Sequence, residues 1–206
     1  MIRNVIFDLD GVLFDGCDFH AITFLEAYNT VLVNTQISRE YHDENLNGLS
    51  TRNKLSVLGV NSDQSERIYA LKQELTASRI EKFIKEDVKV QDICKRLRSL
   101  KYDIFCVSNS IRSTVEKCLR GMGVILLFTG IISNEDTSEP KPSPEPYLTL
   151  YRKYNLEPKE CLIVEDSPHG IESARKSGGN VLPVKDCNDV TVERIMNVLF
   201  DLQSRL

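Results

Sequence analysis

An α/β fold is predicted by apolar runs that are continuous instead of alternating, each followed by a helical pattern. The runs are NVIFD near the start, then YDIFCV, CLIVE and NVLPV, with a less regular fifth in VILLFTGII. Continuous hydrophobicity fits strands buried on both faces, as in a parallel sheet covered by helices on both sides. Strand then helix, repeated, builds that architecture. A further observation is a break in the rhythm. Between Asp15 and about Glu86 there is no comparable strand, only helical patterns.

The first run ends in FDLDGVLFD, so Asp8, Asp10 and Asp15 crowd the exit of an apolar strand. Phe19, Ile22, Leu25, Tyr28 and Leu32 then recur at near-helical spacing, and Ile68, Leu71, Leu75 and Ile80 form a second such set. These patterns predict an all-helical insert over about residues 17–84, leaving about 1–16 and 85–206 as the α/β core. The alternation resumes with a helix from about Val88 to Leu100. SPHGIESARKSGG offers Ser167 as N-cap, Pro168 at the first helical position and Gly178-Gly179 as the stop. SPEPYLTLYRKYN repeats the Ser-Pro opening at Ser143-Pro144.

Composition narrows the possible functions. The chain of 206 residues accommodates one domain, or a domain carrying a smaller insert. Hydrophobic residues at 41% and charged residues at 27% belong to a soluble globular protein. A formal charge of -4 with no long run of one sign excludes a general nucleic-acid footprint. No stretch approaches the roughly 18 to 20 apolar residues that cross a bilayer, so no membrane partner is expected. The six cysteines (Cys17, Cys94, Cys106, Cys118, Cys161 and Cys187) form no C-x-x-C pair, and no signal-peptide pattern precedes the first strand. They read as reduced thiols of a cytoplasmic protein, with Cys106 and Cys161 as small buried hydrophobes of strands.

The chemistry gathers at the strand exits. Residues two apart on a strand share a side, so Asp8 and Asp10 present their carboxyl groups to one crevice beyond the strand's carboxyl end. Open α/β sheets bind ligands there. Gly11 lets the chain turn away without a side chain blocking that approach. Two carboxylates so close repel, and a hard divalent cation with oxygen ligands relieves the repulsion, Mg²⁺ being the usual choice in phosphate chemistry. Further oxygen ligands should stand at another strand end, and Glu165-Asp166 follows CLIV directly. Ser108-Asn109-Ser110, after DIFCV and before a helix start, supplies hydroxyl, amide and backbone N–H donors for a phosphoryl group. Lys141, between the prolines of EPKPSPEPY, supplies a compact positive charge. Each feature alone is common. Their occurrence in this order, each at or just past a strand exit, points to one phosphate site.

In combination, D-x-D-G-V at Asp8 to Val12, the Ser108-Asn109 pair, K-P-x-P at Lys141 to Pro144 and E-D-S-x-x-G at Glu165 to Gly170 resemble the four motifs of the haloacid dehalogenase superfamily. Their order and spacing are similar to those of the subfamily that includes β-phosphoglucomutase and phosphoglycolate phosphatase. The resemblance implies a Rossmann-like core with a helical cap inserted after the first motif. It makes Asp8 the nucleophile that forms an aspartyl-phosphate, splitting one hard step into two easier ones. It makes Asp10 the group that protonates the leaving alkoxide and then takes a proton from water. It assigns Mg²⁺ to a carboxylate oxygen of Asp8, the backbone carbonyl of Asp10 and the carboxylate of Asp166, with Glu165 near its waters. Ser108, Asn109 and Lys141 would hold the phosphoryl oxygens. The second acid, Asp10, argues for phosphate chemistry over carbon–halogen cleavage.

In the cap, the resemblance singles out His20, Arg52 in LNGLSTRNKL and Lys72 as substrate contacts. Where β-phosphoglucomutases carry a Ser-Lys-Asn set for a second phosphate, this chain has Ser110-Ile111-Arg112. The expectation is therefore a Mg²⁺-dependent phosphatase for a small phosphorylated metabolite, with a hexose-phosphate mutase as the alternative. A non-catalytic phosphate-binding module is the third reading, which the presence of both aspartates disfavours. A monomer or weak homodimer is expected, and Cys17, near the first hinge, is expected to be an inert thiol.

Overall fold

The computed structural model describes residues 1–204. Five parallel strands form one sheet in the order β3-β2-β1-β4-β5. They are β1 (Asn4–Phe7), β2 (Asp103–Val107), β3 (Gly130–Ile132), β4 (Cys161–Glu165) and β5 (Asn180–Pro183). The less regular fifth run contributes only the three residues of β3, because Ile125–Leu127 before it turns as a short 3₁₀ helix.

Alternation along the strands divides the core into two layers. Val5, Phe7, Ile104, Cys106, Leu162 and Val164 point to one face. There they meet α5 (Val88–Ser99), α6 (Arg112–Gly121) and α9 (Val192–Ser204) through Ile93, Leu97, Val115, Leu119, Ile195 and Leu199. Ile6, Phe105, Val107 and Ile163 point to the other face, against Tyr147, Leu150 and Tyr151 of α7 (Glu145–Tyr154) and Ala174 of α8 (Pro168–Lys176). Each fully buried aliphatic or phenyl side chain stabilises the fold by roughly 1.5–3 kcal/mol relative to exposure. Cys106 and Cys161 are fully buried strand residues, and all six cysteines are unpaired.

Register brings the strand exits together. Phe7 pairs with Cys106 of β2 and with Val164 of β4, so Asp8 lies beside Val107 and Glu165 at the carboxyl edge of the sheet. Asp8 extends the pairing by donating its N–H to the Val164 carbonyl. The helix punctuation at α8 is as read: Ser167 accepts from the Gly170 N–H, Pro168 opens the helix, and Gly178 follows the last turn at a φ of 86°. The Ser143-Pro144 opening differs. Ser143 lies outside α7, its hydroxyl accepting from the Glu145 N–H and its carbonyl accepting from Ser173, so Pro144 takes the cap position without a side-chain cap.

Residues 17–82 contribute helices alone: α1 (Cys17–Val31), α2 (Arg39–Asn45), α3 (Thr51–Val57), α4 (Ser62–Arg79) and a 3₁₀ turn at Ile80–Lys82. Phe24, Ala27, Tyr28, Leu46, Leu55 and Ile68 make a third core of their own. The buried face of α1 is therefore not the predicted stripe, and Ile22 is half exposed. The reason is divided packing: Phe19 joins the sheet's core while Phe24, Ala27 and Tyr28 turn inward among the helices that follow. On α4 the inner face runs Ile68, Lys72, Thr76, so a lysine and a threonine occupy positions where a pure packing helix would be apolar. Among the described residues no helix is long and apolar enough to cross a membrane.

Candidate active site

Asp8 is the first residue past β1, and parallel pairing on both flanks leaves its side chain 11% exposed at the centre of the sheet edge. The loop before α7 delivers Lys141, whose Nζ donates to Asp8 Oδ1 at 2.6 Å, to the Val107 carbonyl at 2.7 Å and to Glu165 Oε1. Burial alone would pull this lysine's pKa down, but Asp8 and Glu165 reverse the sign and hold it well above the ordinary lysine range. Glu165 is fully buried and also accepts from the Tyr147 hydroxyl at 2.6 Å. Gly170 makes room for it, because a Cβ there would lie 2.1 Å from Glu165 Oε2.

Asp8 and Asp10 stand in opposite electrostatic settings. Burial pushes the Asp8 carboxyl well up; Lys141 opposes this, and Glu165, Asp166 and Asp10 push it further. Burial also pushes Asp10 upward, but His20 and the Ser110 hydroxyl overcome it, and the net shift is down. Ser110 donates to Asp10 Oδ2 at 2.9 Å, while His20 Nε2 lies 3.1 Å from Oδ1, close but out of line for a hydrogen bond. Asp166 is pushed up to about 7, first by burial and then by Glu165.

Four acids therefore meet around one lysine, a surplus of negative charge that a low-dielectric site does not tolerate without compensation. Asp8, Glu165 and Asp166 each offer an oxygen, all within 4.8 Å of one another. Glu165 Oε2 and Asp166 Oδ1 are buried with no hydrogen-bond partner. Gly11, at a φ of 86°, leaves the space a Cβ would fill at 2.1 Å from Asp166 Oδ2. All-oxygen donors in a negatively charged pocket fit a hard divalent cation.

Other expected residues fall into place unevenly. Ser108 is buried and accepts from the Ser110 N–H. Asn109 spends its side chain on backbone, accepting from the Lys141 N–H at 3.0 Å and donating to the Gly48 and Lys141 carbonyls, so it pins the Lys141 loop and the 47–49 loop together. His20 and Lys72 border the cleft beside Asp10. Arg52 does not: it pairs with Glu66, stacks on Tyr69 and is 56% exposed along its side chain. Thr51 and Lys54, the neighbours of Arg52 on α3, border the cleft instead. Asp15 is exposed and borders a separate surface pocket with Phe14, Phe83 and Lys85. Burial, then Asp10 and Asp166, push the Cys17 thiol far up.

The free space at the site has two parts that share lining residues. An inner part is bordered by Asp8, Asp10, Asn109, Lys141 and Asp166. An outer part, partly open to solvent, is bordered by Asp10, His20, His42, Lys54, Lys72 and Ile111. Asp10, Cys17, Asn47, Gly48 and Asn109 border both.

A parallel sheet that crowds carboxylates and a buried lysine at its carboxyl edge, under a layer of helices, defines the class of phosphoryl-handling α/β enzymes. The chain belongs to the family described as haloacid dehalogenase-like hydrolases, whose family model matches residues 5–184. It is 26% identical to the pyrophosphatase PpaX of Oceanobacillus iheyensis over 96% of this chain and 95% of that protein. It is also 26% identical to the β-phosphoglucomutase of Bacillus subtilis over 93% of each chain. Its fold matches a crystal structure of β-phosphoglucomutase from Clostridium difficile with a TM-score of 0.82, at 21% identity and 98% coverage of both chains. The family makes the chain a haloacid dehalogenase-like hydrolase, and these relatives are named a pyrophosphatase and phosphoglucomutases.

Proposed function

We propose that this enzyme is a Mg²⁺-dependent, cytoplasmic phosphatase that hydrolyses a small phosphorylated metabolite through an aspartyl-phosphate on Asp8, with residues 17–84 as its cap. The observation that carries this reading is the position of Asp10. It borders the inner space together with Asp8 and Lys141, and the outer cleft together with His20 and Lys72. An oxygen passing from phosphorus to the rest of a substrate has to cross between those spaces beside Asp10.

In the first step the Asp8 carboxylate attacks phosphorus, the ester P–O bond breaks, and Asp10 gives its proton to the departing oxygen. In the second, Asp10 accepts a proton from water as the water attacks the acyl phosphate, and Asp8 is freed. The low resting pKa of Asp10 suits the second step. For the first, the negative charge of an arriving phosphoryl group raises its proton affinity. Asp8, Glu165, Asp166 and the backbone carbonyl of Asp10 would hold Mg²⁺, whose charge offsets that of the phosphoryl oxygens. Lys141, Ser108 and the backbone beside Asn109 supply the remaining positive and donor surface.

Water is favoured over a second sugar phosphate as acceptor. Ile111 borders the cleft where a donor for a second phosphate would be required, and Arg112 turns away to pair with Asp136. The test is phosphate release from p-nitrophenyl phosphate with Mg²⁺ and with excess chelator. Release with the metal and none without it is expected; metal-independent release would sink the reading. β-Glucose 1-phosphate with its 1,6-bisphosphate should yield free phosphate, whereas accumulation of glucose 6-phosphate would identify a mutase.

The acid cluster also makes Mg²⁺ binding visible in stability. The folded-state pKa of Asp166, about 7, stands above its unfolded value of 3.8. Its contribution is thus present below about pH 4 and is lost as pH rises through about 7. Without metal, this group weakens the fold more at pH 8 than at pH 5.5. Saturating Mg²⁺ should raise the melting temperature by about 5–10 °C at pH 8 and by less at pH 5.5. Equal shifts at the two pH values would separate the cation from these carboxylates.

A further inference from the structure

One buried hydroxyl beside the site has a partner that packing alone does not explain. Tyr147 of α7 is fully buried in the apolar layer, among Ile6, Phe105, Val107 and Ile163. A phenylalanine would fill nearly the same space. A phenol in such a layer needs an acceptor for its O–H, and this one donates to Glu165 Oε1 at 2.6 Å. Its ring also lies against Lys141, whose Nζ is 5.2 Å from the ring centroid, within the range of a cation–π contact. Tyr147 thus touches both members of the buried Lys141–Glu165 pair.

The two oxygens of Glu165 have unequal surroundings. Oε1 accepts from Lys141 Nζ and from the Tyr147 hydroxyl, while Oε2 is buried with no hydrogen-bond partner. The terminal torsion of a glutamate is broad and nearly two-fold, so rotation of the carboxyl group alone would exchange the two oxygens. Lys141 does not prevent that exchange by itself. An ammonium is a compact point charge with rotatable donors, and this one also serves Asp8 Oδ1 and the Val107 carbonyl. Tyr147 does prevent it, because its hydroxyl projects from a helix packed into the core and stands at a fixed place beside Oε1. If the carboxyl group turned, both of its oxygens would compete for Lys141 and draw the ammonium away from Asp8.

We propose that Tyr147 is a positioning residue for the cation pocket: its hydroxyl locks the Glu165 carboxyl group so that one oxygen is held for Lys141 and the other keeps its negative charge for the divalent cation. This deepens the phosphatase reading and rests on the cation in it. Tyr147 touches neither substrate nor metal and acts through Glu165 and Lys141.

Mn²⁺, which takes the same oxygen ligands as Mg²⁺, is the probe, and its binding to the full chain without substrate is read by electron paramagnetic resonance. Tyr147→Phe removes one oxygen atom and should weaken Mn²⁺ binding about tenfold, the loss expected when a group that orients a metal ligand is removed. Tyr151→Phe, on the same helix, removes a buried hydroxyl that meets Ser177 instead, and should leave Mn²⁺ binding unchanged. With p-nitrophenyl phosphate, the Mg²⁺ concentration giving half the maximal rate should rise about tenfold in Tyr147→Phe, while KM for the ester at saturating Mg²⁺ stays as in wild type. The chain has no tryptophan, so tyrosine dominates its near-ultraviolet absorption. Mg²⁺ added to wild type should shift part of that band to shorter wavelength, because a cation drawing charge from Glu165 weakens the hydrogen bond that Oε1 accepts. The shift should vanish in Tyr147→Phe. Undiminished Mn²⁺ affinity in Tyr147→Phe overturns the proposal, as does equal weakening in Tyr151→Phe, which would trace the effect to helix packing. Should Tyr147→Phe not fold, the wild-type spectrum decides, and a tyrosine band unmoved by Mg²⁺ overturns it. A wild type that binds no Mn²⁺ sinks the cation and the proposal together. A wild type that binds Mn²⁺ yet releases no phosphate sinks the phosphatase reading alone, and the Mn²⁺ comparison still decides the role of Tyr147.

Discussion

Asp8→Asn should lower kcat by about 10⁴-fold or more while raising the melting temperature of the metal-free protein. The amide keeps an oxygen for Lys141 Nζ, now 2.6 Å from Asp8 Oδ1, and occupies almost the same volume. It offers phosphorus no carboxylate, so the covalent route is closed. The rise in stability follows from the sign of the shift. Burial and three neighbouring acids raise the Asp8 pKa, so its ionised form costs stability near neutral pH and above. Removing that charge also removes one oxygen of the cation pocket, so the Mg²⁺-induced rise in melting temperature should shrink. The readouts are phosphate release and thermal melts with and without Mg²⁺. An Asp8→Asn protein that still releases phosphate at a tenth of the wild-type rate would remove Asp8 from the nucleophile's role.

The core of this site was legible because strand exits carry strong local signals. In a parallel sheet the run NVIF has to be buried on both faces, so the residue that follows it lies at the carboxyl edge whatever the surrounding helices do. The same logic placed Ser108 after DIFCV and Asp166 after CLIVE, and the register observed in the sheet sets Asp8 beside Glu165. Lys141 was legible only through its motif. Its triple donation to Asp8, Val107 and Glu165 depends on a loop whose path no local pattern encodes.

The helical layer was less readable, for a physical reason. Short helices such as Arg39–Asn45 and Thr51–Val57 are held by tertiary packing, and seven residues carry too little periodicity to show which side faces inward. Within TRNKL, Arg52 and Lys54 are both cations two positions apart, roughly opposite on a helix. The resemblance singled out Arg52 for the cleft, but it is Lys54, not Arg52, that turns in. His42 gave no signal because its contact, Lys54, lies twelve residues away. Tyr147 gave no signal either, because the partner of its hydroxyl is the buried Glu165, on a different element.

Lys141→Met should be the most destabilising single change at the site, and it should also cost activity. The lysine is 3% exposed and touches two carboxylates, so its removal leaves Asp8 and Glu165 buried without a counter-charge. Breaking a buried pair by deleting one partner costs about 3–5 kcal/mol, which for a chain of this size lowers the melting temperature by roughly 10 °C. Loss of a positioned cation beside the transferring phosphoryl group should reduce kcat by about 10²–10³-fold. The two losses separate by experiment. Mg²⁺ should recover part of the stability, because it brings positive charge to the same carboxylates, but it should leave the kcat deficit in place. In the Asp8→Asn background, Lys141→Met should destabilise less than in wild type, since only Glu165 is then left exposed to the loss. Additive destabilisation in that double variant would mean that Lys141 and Asp8 are not electrostatically coupled, and the site's charge balance as described would be wrong.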